Sequence, residues 1–240
     1  MKRALTLAAL ALTGAGCVSP PRPPDRGELI RGILTSTVQL RSEREGAIHR
    51  AASGVVVAAD PRSDRSWIIT ARHFVDPSPP HNIYVRLPGR IGVTPATLAF
   101  VSPDRDLAVI EAKYLDVAPA RLKMAASLGD EILVIAFPWG QRFTVVRGVV
   151  SQVSTLASIT GPARMVDASV SYGSSGGGVF DAQTGELVGI VESYRTAKVA
   201  IPEMKDRVLE IPIAGETTLI SAPAILRFLV DSGLSDFLPR

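Results

Sequence analysis

Apolar positions in this chain come in short β-branched runs separated by Gly, Pro, Asp and Ser, the pattern of antiparallel strands joined by turns. The runs Ile33–Leu40, Ile48–Ala58, Trp67–Thr70, Asn82–Leu87, Ala96–Val101 and Leu107–Ala112 form one series. Glu131–Phe137, Phe143–Val153, Arg164–Ala168, Gly177–Phe180, Leu187–Ser193 and Val208–Ile213 form a second. No helical pattern separates successive strands, which argues against a βαβ architecture. Two groups of about six strands predict paired barrels or a sandwich, joined at Pro119–Leu128. The one helical pattern is Ala222–Val230, with Ser221 placed as N-cap, Pro223 near the first helical position and Gly233 beyond its end.

The N-terminus departs from this pattern. Met1-Lys2-Arg3 precedes an apolar run from Ala4 to Leu12 and the small residues Thr13 to Gly16, the layout of a secretory signal over residues 1–16. The run is short for a membrane-spanning helix. Cys17 then follows Gly14-Ala15-Gly16, a pattern that resembles a bacterial lipoprotein signal. That resemblance implies lipidation of Cys17, a membrane anchor and a place in the cell envelope or periplasm. Ordinary cleavage nearby is the alternative. Residues 17–27 include four prolines and read as an extended tether, so the folded domain is expected over 28–240.

Charge and composition narrow the function. The chain has 26 basic and 23 acidic residues, and loss of Lys2 and Arg3 leaves a net charge of +1. No Lys/Arg run is present, so nucleic acid is not an expected partner. A single Cys and three His provision neither an intrachain disulfide nor a multi-Cys metal site. No metal or other cofactor is expected.

The chemistry centres on Tyr172-Gly173-Ser174-Ser175-Gly176-Gly177-Gly178-Val179-Phe180-Asp181. Glycines around a serine let the backbone turn tightly and point amides inward, although a plain Gly/Ser loop has the same composition. The segment fits G-x-S-x-G, the nucleophile elbow of α/β-hydrolases, but in that fold the His follows the Ser. Here His49, His73 and His81 all precede Ser175. A phosphate-binding loop fails for want of a Gly-Lys-Ser/Thr ending. His73 stands on a turn after the apolar stretch Trp67–Thr70. Asp106 opens the stretch Leu107–Ile110, while Asp104 reads as a turn residue. Taken singly, each has a bland alternative: a structural His, a solvated turn.

Together, His73, Asp106 and Ser175 follow the chain order of chymotrypsin-like serine proteases. The chain resembles the trypsin-fold superfamily, and within it the HtrA/Deg-type bacterial proteases. The likeness covers most of residues 48–195. It rests on Ser53-Gly54-Val55-Val56-Val57, Ile69-Thr70-Ala71-Arg72-His73-Phe74-Val75 and Asn82–Leu87, and on Asp106-Leu107-Ala108-Val109-Ile110. It continues through Ala136-Phe137-Pro138-Trp139-Gly140, Arg147–Ser151, the serine loop and Leu187-Val188-Gly189-Ile190. The resemblance implies an all-β fold of two six-stranded antiparallel barrels, about 28–118 and 129–215, with a C-terminal helix at about 222–231. It implies a serine endopeptidase acting on protein or peptide substrates. His73, Asp106 and Ser175 would be its triad, and the amides of Gly173 and Ser175 its oxyanion hole. Ser169, Val170, Glu192 and Ser193 would border the substrate, with a small or medium apolar residue preferred because Ser169 supplies no carboxylate; the alternative for Glu192 is a solvated strand-end charge.

This chain departs from the family in carrying Ser174 where Asn or Asp is usual, and Gly178 where Pro is usual. The 65 residues after Ser175 are taken up by the barrel and helix, so no peptide-binding PDZ domain is expected. Trimers are common among HtrA relatives; that likeness alone suggests one here. The rival functions are a catalytically idle trypsin-fold binding or assembly module, and an esterase using the same triad.

Overall fold

The computed structural model describes residues 25–76, 82–155, 158–200 and 208–239. The N-terminal helix α1 (Arg26–Ser36) leads into β1 (Thr37–Arg44), β2 (Ala47–Asp60), β3 (Arg65–Thr70), β4 (Asn82–Arg86), β5 (Thr94–Val101) and β6 (Ala108–Lys113). After a linker come β7 (Ala126–Ser127), β8 (Glu131–Ala136), β9 (Thr144–Val153), β10 (Thr160–Gly161) and β11 (Ala163–Val166). The last elements are β12 (Gly178–Asp181), β13 (Leu187–Ala200), β14 (Val208–Ser221) and α2 (Ala222–Asp231).

Two closed antiparallel barrels result, with strand orders β1-β2-β3-β6-β5-β4 and β11-β14-β13-β12-β8-β9; β7 and β10 form a small separate ribbon. The paired barrels expected from the sequence are therefore present, and each predicted strand overlaps one of their twelve. The side-chain period of two gives each barrel its filled inner face: Ile83 and Val85 of β4 point inward while their neighbours are more exposed. Val38, Leu40, Val56, Ile68 and Ile110 fill the first barrel, and Ile132, Val150, Val166, Val179 and Val191 fill the second. A third cluster lies between the barrels, where Val55, Ile69 and Leu107 meet Ile135, Phe180 and Ile190. Burying an aliphatic side chain of this kind contributes about 1.5–3 kcal/mol, so the barrels are held face to face.

One expectation fails. The run Ile33–Leu40 is not all strand: the chain is helical through Ser36, and β1 begins at Thr37. Asp25 and Glu28 carry a capping-box signature, with the Asp25 amide donating to Glu28 Oε2 at 3.3 Å. Ile33 lies in the inter-barrel core, with Leu29, Ile30 and Leu34 packed beside it. Gly27 and Gly32 weaken the local helical preference, and the tertiary contact of the apolar stripe overrides it. Helix α1 thus begins at Arg26, inside the segment read as tether. Residues 1–16, Cys17 and the rest of the tether to residue 24 lie outside the described residues.

At the other end α2 buries Ile225 and Leu229 in the same inter-barrel core. Ser221 occupies the N-cap position without a side-chain capping bond. Gly233 (φ 74°) ends the helix, its amide reaching Val230 O and that of Leu234 reaching Leu229 O, both at 2.9 Å. Phe237 then stacks on Trp67 of β3 with centroids 4.9 Å apart, tying the C-terminus back to the first barrel. The linker is bound to both barrels: Ala120 N donates to Val56 O (2.8 Å), Leu187 N to Arg121 O (2.7 Å) and Lys123 N to Leu187 O (2.8 Å). Its Lys123 ammonium pairs with the buried Asp181 carboxylate at the end of β12, and with Asp130 at 3.6 Å.

Candidate active site

His73 lies in the 3-10 turn Arg72–Phe74 directly after β3, and Asp106 lies two residues before β6. Because β3 and β6 pair, with Thr70 opposite Ala108, the two turns leave the barrel side by side. Asp106 then holds His73 twice: Oδ2 lies 2.7 Å from Nδ1 of the ring, and Oδ1 accepts the His73 main-chain N–H at 2.8 Å. The Arg72 amide also donates to Asp106 O at 3.1 Å. Burial pushes the Asp106 carboxyl pKa up, but the hydrogen bonds and charge of His73 and the nearby Arg72 guanidinium bring it below the ordinary value. Asp104, by contrast, is exposed and accepts from the Ser102 hydroxyl at 2.9 Å, the turn role expected for it.

Two arginines brace this pair. Arg50 of β2 donates through Nη1 to His73 O (2.9 Å), Phe74 O (3.4 Å) and Asp76 O, gathering the carbonyls at the end of the His turn. Arg72 donates to Ser102 O at 3.0 Å and so ties the His turn to the segment leading to Asp106. Neither arginine was singled out from the sequence, where a surface charge and a functional brace look alike.

Ser175 belongs to the second barrel, in the loop before β12, yet its main chain is fastened to the first. Ser53 of β2 donates its amide to Ser175 O at 2.9 Å. The buried Ser53 hydroxyl donates to Gly173 O and accepts from Phe137 N, both at 2.8 Å. Gly176 (φ 78°) sits where a Cβ would overlap Ser53 O and the Thr70 hydroxyl and lie 3.1 Å from Ala71 N, two residues before His73. The glycine is therefore required both by conformation and by close approach. The loop is secured to β13 as well, through Gly176 N to Val191 O and Val191 N to Gly177 O, both 2.8 Å. The fold thus brings the loop of Ser175 against the barrel end that carries His73 and Asp106. No hydrogen bond joins the imidazole to the Ser175 hydroxyl. Among the described residues, the amides of Gly173 and Ser175 donate to no protein acceptor.

A match to the trypsin-like peptidase domain spans residues 52–190, more than half of the chain, from β2 to β13. The chain belongs to the trypsin-like peptidase family. This peptidase domain is 26% identical over 208 residues to the protein y4bJ of Sinorhizobium fredii, covering 83% of the chain and 30% of that protein. It is 29% identical over 154 residues to a Pseudomonas putida protein named a probable periplasmic serine endoprotease, DegP-like, covering 62% of the chain and 30% of the relative. The chain therefore spans under a third of the length of either curated relative. Its fold is similar to the serine endoprotease from Yersinia pestis, with TM-score 0.67 at 20% identity, over 90% of this chain and 69% of that one. It is also similar to Rv3671c from M. tuberculosis in an inactive serine-to-alanine form, with TM-score 0.64 at 18% identity, over 91% and 98% of the two chains. At these identities the structural likeness is one of fold.

The four residues expected to border the substrate lie on the β13 side of the serine loop of this peptidase domain. Ser169 and Ser193 are exposed, and Val170 and Glu192 are half-buried. Thr217 of β14 donates its hydroxyl to Ala168 O at 2.6 Å and fixes the approach to Ser169. The Ser193 hydroxyl is taken up by Thr218 Oγ1 at 2.7 Å. Beside them is a carboxylate that the sequence analysis passed over: Glu216 of β14, with Oε2 2.8 Å from Arg195 Nη1. Its approximate counter-charge in Arg195 offsets the acidity it brings to this flank.

Proposed function

We propose that the chain is a serine endopeptidase cleaving peptide bonds in protein substrates through an acyl-enzyme. The observation that carries this reading is the double hold of Asp106 on His73, placed at the same barrel end that binds the Ser175 main chain. In this reading Ser175 Oγ attacks the scissile carbonyl carbon while His73 takes the hydroxyl proton. Collapse of the tetrahedral adduct breaks the C–N bond, and His73 passes that proton to the leaving amine. Water then enters by the same route, giving its proton to His73 and its oxygen to the acyl group, and Ser175 is regenerated. Asp106 fixes the ring with its proton on Nδ1 and stabilises the imidazolium. The amides of Gly173 and Ser175 supply the donors for the oxyanion. The hydrogen bond between His73 and Ser175 forms when substrate is bound, since such contacts tighten in the complex.

Ser169, Val170, Glu192 and Ser193 border the side chain before the scissile bond, for which a small or medium apolar residue is proposed. Residues 1–16 act as an export signal, Cys17 as the lipidated anchor and the proline-rich segment as its tether, placing the peptidase in the cell envelope. The periplasmic name of the P. putida relative supports that placement.

The test is labelling of the purified protein by a fluorophosphonate probe beside Ser175→Ala. Stoichiometric labelling that disappears in the variant is expected. A folded wild-type protein that takes no label overturns the reading.

A further inference from the structure

On the flank of the serine loop away from β13, two aromatic side chains stand in solvent. Trp139 is 66% exposed and Tyr172 50% exposed, with ring centroids 5.3 Å apart. Trp139 reaches this position from a left-handed backbone, φ 55° and ψ 16°, which a bulky residue adopts only against steric resistance. A glycine would occupy that conformation freely. Strain retained beside a candidate active site points to a role for the side chain it presents.

The surroundings hold the strained turn in place. The Trp139 amide donates to Tyr172 O at 2.8 Å and that of Gly140 to Phe137 O at 3.0 Å. From β1 of the other barrel, Gln39 donates to Gln141 O (3.0 Å) and Arg41 to Gly140 O (3.2 Å). Gly173 closes against the same turn: a Cβ there would lie 2.8 Å from Trp139 N. The backbone that carries the aromatic pair is therefore fastened against the loop that bears the Gly173 and Ser175 amides.

Resting on the peptidase reading above, we propose that Trp139 and Tyr172 form a shelf for a large apolar or aromatic substrate side chain on the leaving-group side of the scissile bond. The side follows from the layout. In that reading Ser169, Val170 and Glu192 border the acyl part: Glu192 is in β13 and Ala168, just before Ser169, is bonded to Thr217 of β14, whereas Trp139 follows β8, on the opposite side of β12 in the strand order. Tyr172 immediately precedes Gly173, so a chain crossing the oxyanion position from the β13 flank meets the shelf with the first or second residue after the cleaved bond. Two exposed faces at a fixed separation bury an incoming ring or branched aliphatic group and exclude water from it.

The experiment is digestion of denatured casein by the purified full chain, with cut sites read by mass spectrometry and Ser175→Ala as the blank. Wild type is expected to cut with about tenfold enrichment of Phe, Tyr, Trp, Leu or Met at one of the first two positions after the bond, the discrimination a single apolar contact supplies. Trp139→Gly, which keeps a residue suited to the backbone conformation, loses that enrichment. Tyr172→Ala weakens it, and Trp139→Phe retains it. An enrichment that survives in Trp139→Gly, or wild-type cutting indifferent to these positions, overturns the shelf alone. Absence of Ser175-dependent products from wild type overturns the peptidase reading and the shelf with it, and is told apart because no cut sites exist to compare.

Discussion

His73 and Asp106 are positioned by side chains reaching across gaps: a carboxylate bonded to both ring and amide, and two guanidinium groups gathering carbonyls. The loop of Ser175 is positioned almost entirely by main chain. Its carbonyls and amides pair with β2 and β13, and its glycines let it lie where no side chain fits. The first barrel can therefore lose a charge and keep its shape, whereas the second cannot gain a methyl group and keep its own. Damage on the two sides should separate into chemistry without unfolding and unfolding together with chemistry.

Asp106→Asn breaks the first side most sharply. Asparagine keeps an acceptor for the His73 amide but presents an NH2 group to Nδ1, which reverses the ring tautomer. On the proposed mechanism kcat should fall by about 10⁴-fold, with thermal unfolding little changed. Steady-state hydrolysis and a melting curve on the same sample check both halves. A large drop in melting temperature would show that the carboxylate is principally structural.

Gly176→Ala is the matching break on the second side. The new methyl overlaps Ser53 O and the Thr70 hydroxyl, and the residue is held at φ 78°. Overpacking and left-handed backbone together should cost about 3 kcal/mol, with activity lost in proportion to displacement of the loop. Urea unfolding measures the first, fluorophosphonate labelling the second.

Ser53→Ala tests the seam between the two. The hydroxyl serves Phe137 N and Gly173 O at once in a fully buried place, so its removal leaves two main-chain groups unpaired. A cost of about 2 kcal/mol is expected. The freed carbonyl belongs to the Gly173–Ser174 peptide, which lies between the peptides carrying the Gly173 and Ser175 amides; should its release displace either amide, kcat on the proposed mechanism falls by up to about 10²-fold, the effect of losing one oxyanion donor. Ser53→Thr, which keeps the hydroxyl, separates these bonds from simple packing.

The same contrast explains how much was legible in the sequence. Strands β2, β3, β8 and β12 show as continuous apolar runs because one face fills a barrel and the other the seam between the barrels, and the serine loop shows because its glycines are steric necessities. His73 and Asp106 are visible through their order along the chain. Arg50, Arg72 and Ser53 are not, since their partners are carbonyls and amides, which every residue possesses and no sequence pattern marks. In the sequence Trp139 is one aromatic in a Phe-Pro-Trp-Gly run; its left-handed backbone and its exposure set it apart only in the fold. Ile33 to Leu40 carries one apolar series across helix α1 and strand β1, so the pattern alone predicts strand through both. The signal that could have separated them is the Asp25/Glu28 capping pair.

The smallest expected effect concerns the linker rather than the site. Burial pushes the Asp181 carboxyl up, but the Lys123 ammonium and the amides of Thr184 and Gln183 outweigh it, so the folded value is below the ordinary one. Its contribution is then fully present above the unfolded value of about 3.9 and is lost as pH falls through the lower folded value. Burial lowers Lys123, but the bonds and charges of Asp181 and Asp130 raise it overall. That contribution is present below about 10.4 and lost as pH rises through the folded value. Lys123→Met should therefore destabilise by about 1–2 kcal/mol near neutrality. This is less than the cost of breaking a fully buried pair, because the lysine is partly solvated. The difference from wild type in urea unfolding should be largest across the neutral range and shrink as pH falls through the lowered folded value of Asp181, where its carboxylate takes up a proton. A difference that persists undiminished at low pH would assign Lys123 to packing by its aliphatic stem, and the ion pair to a minor part in fastening the linker to the second barrel.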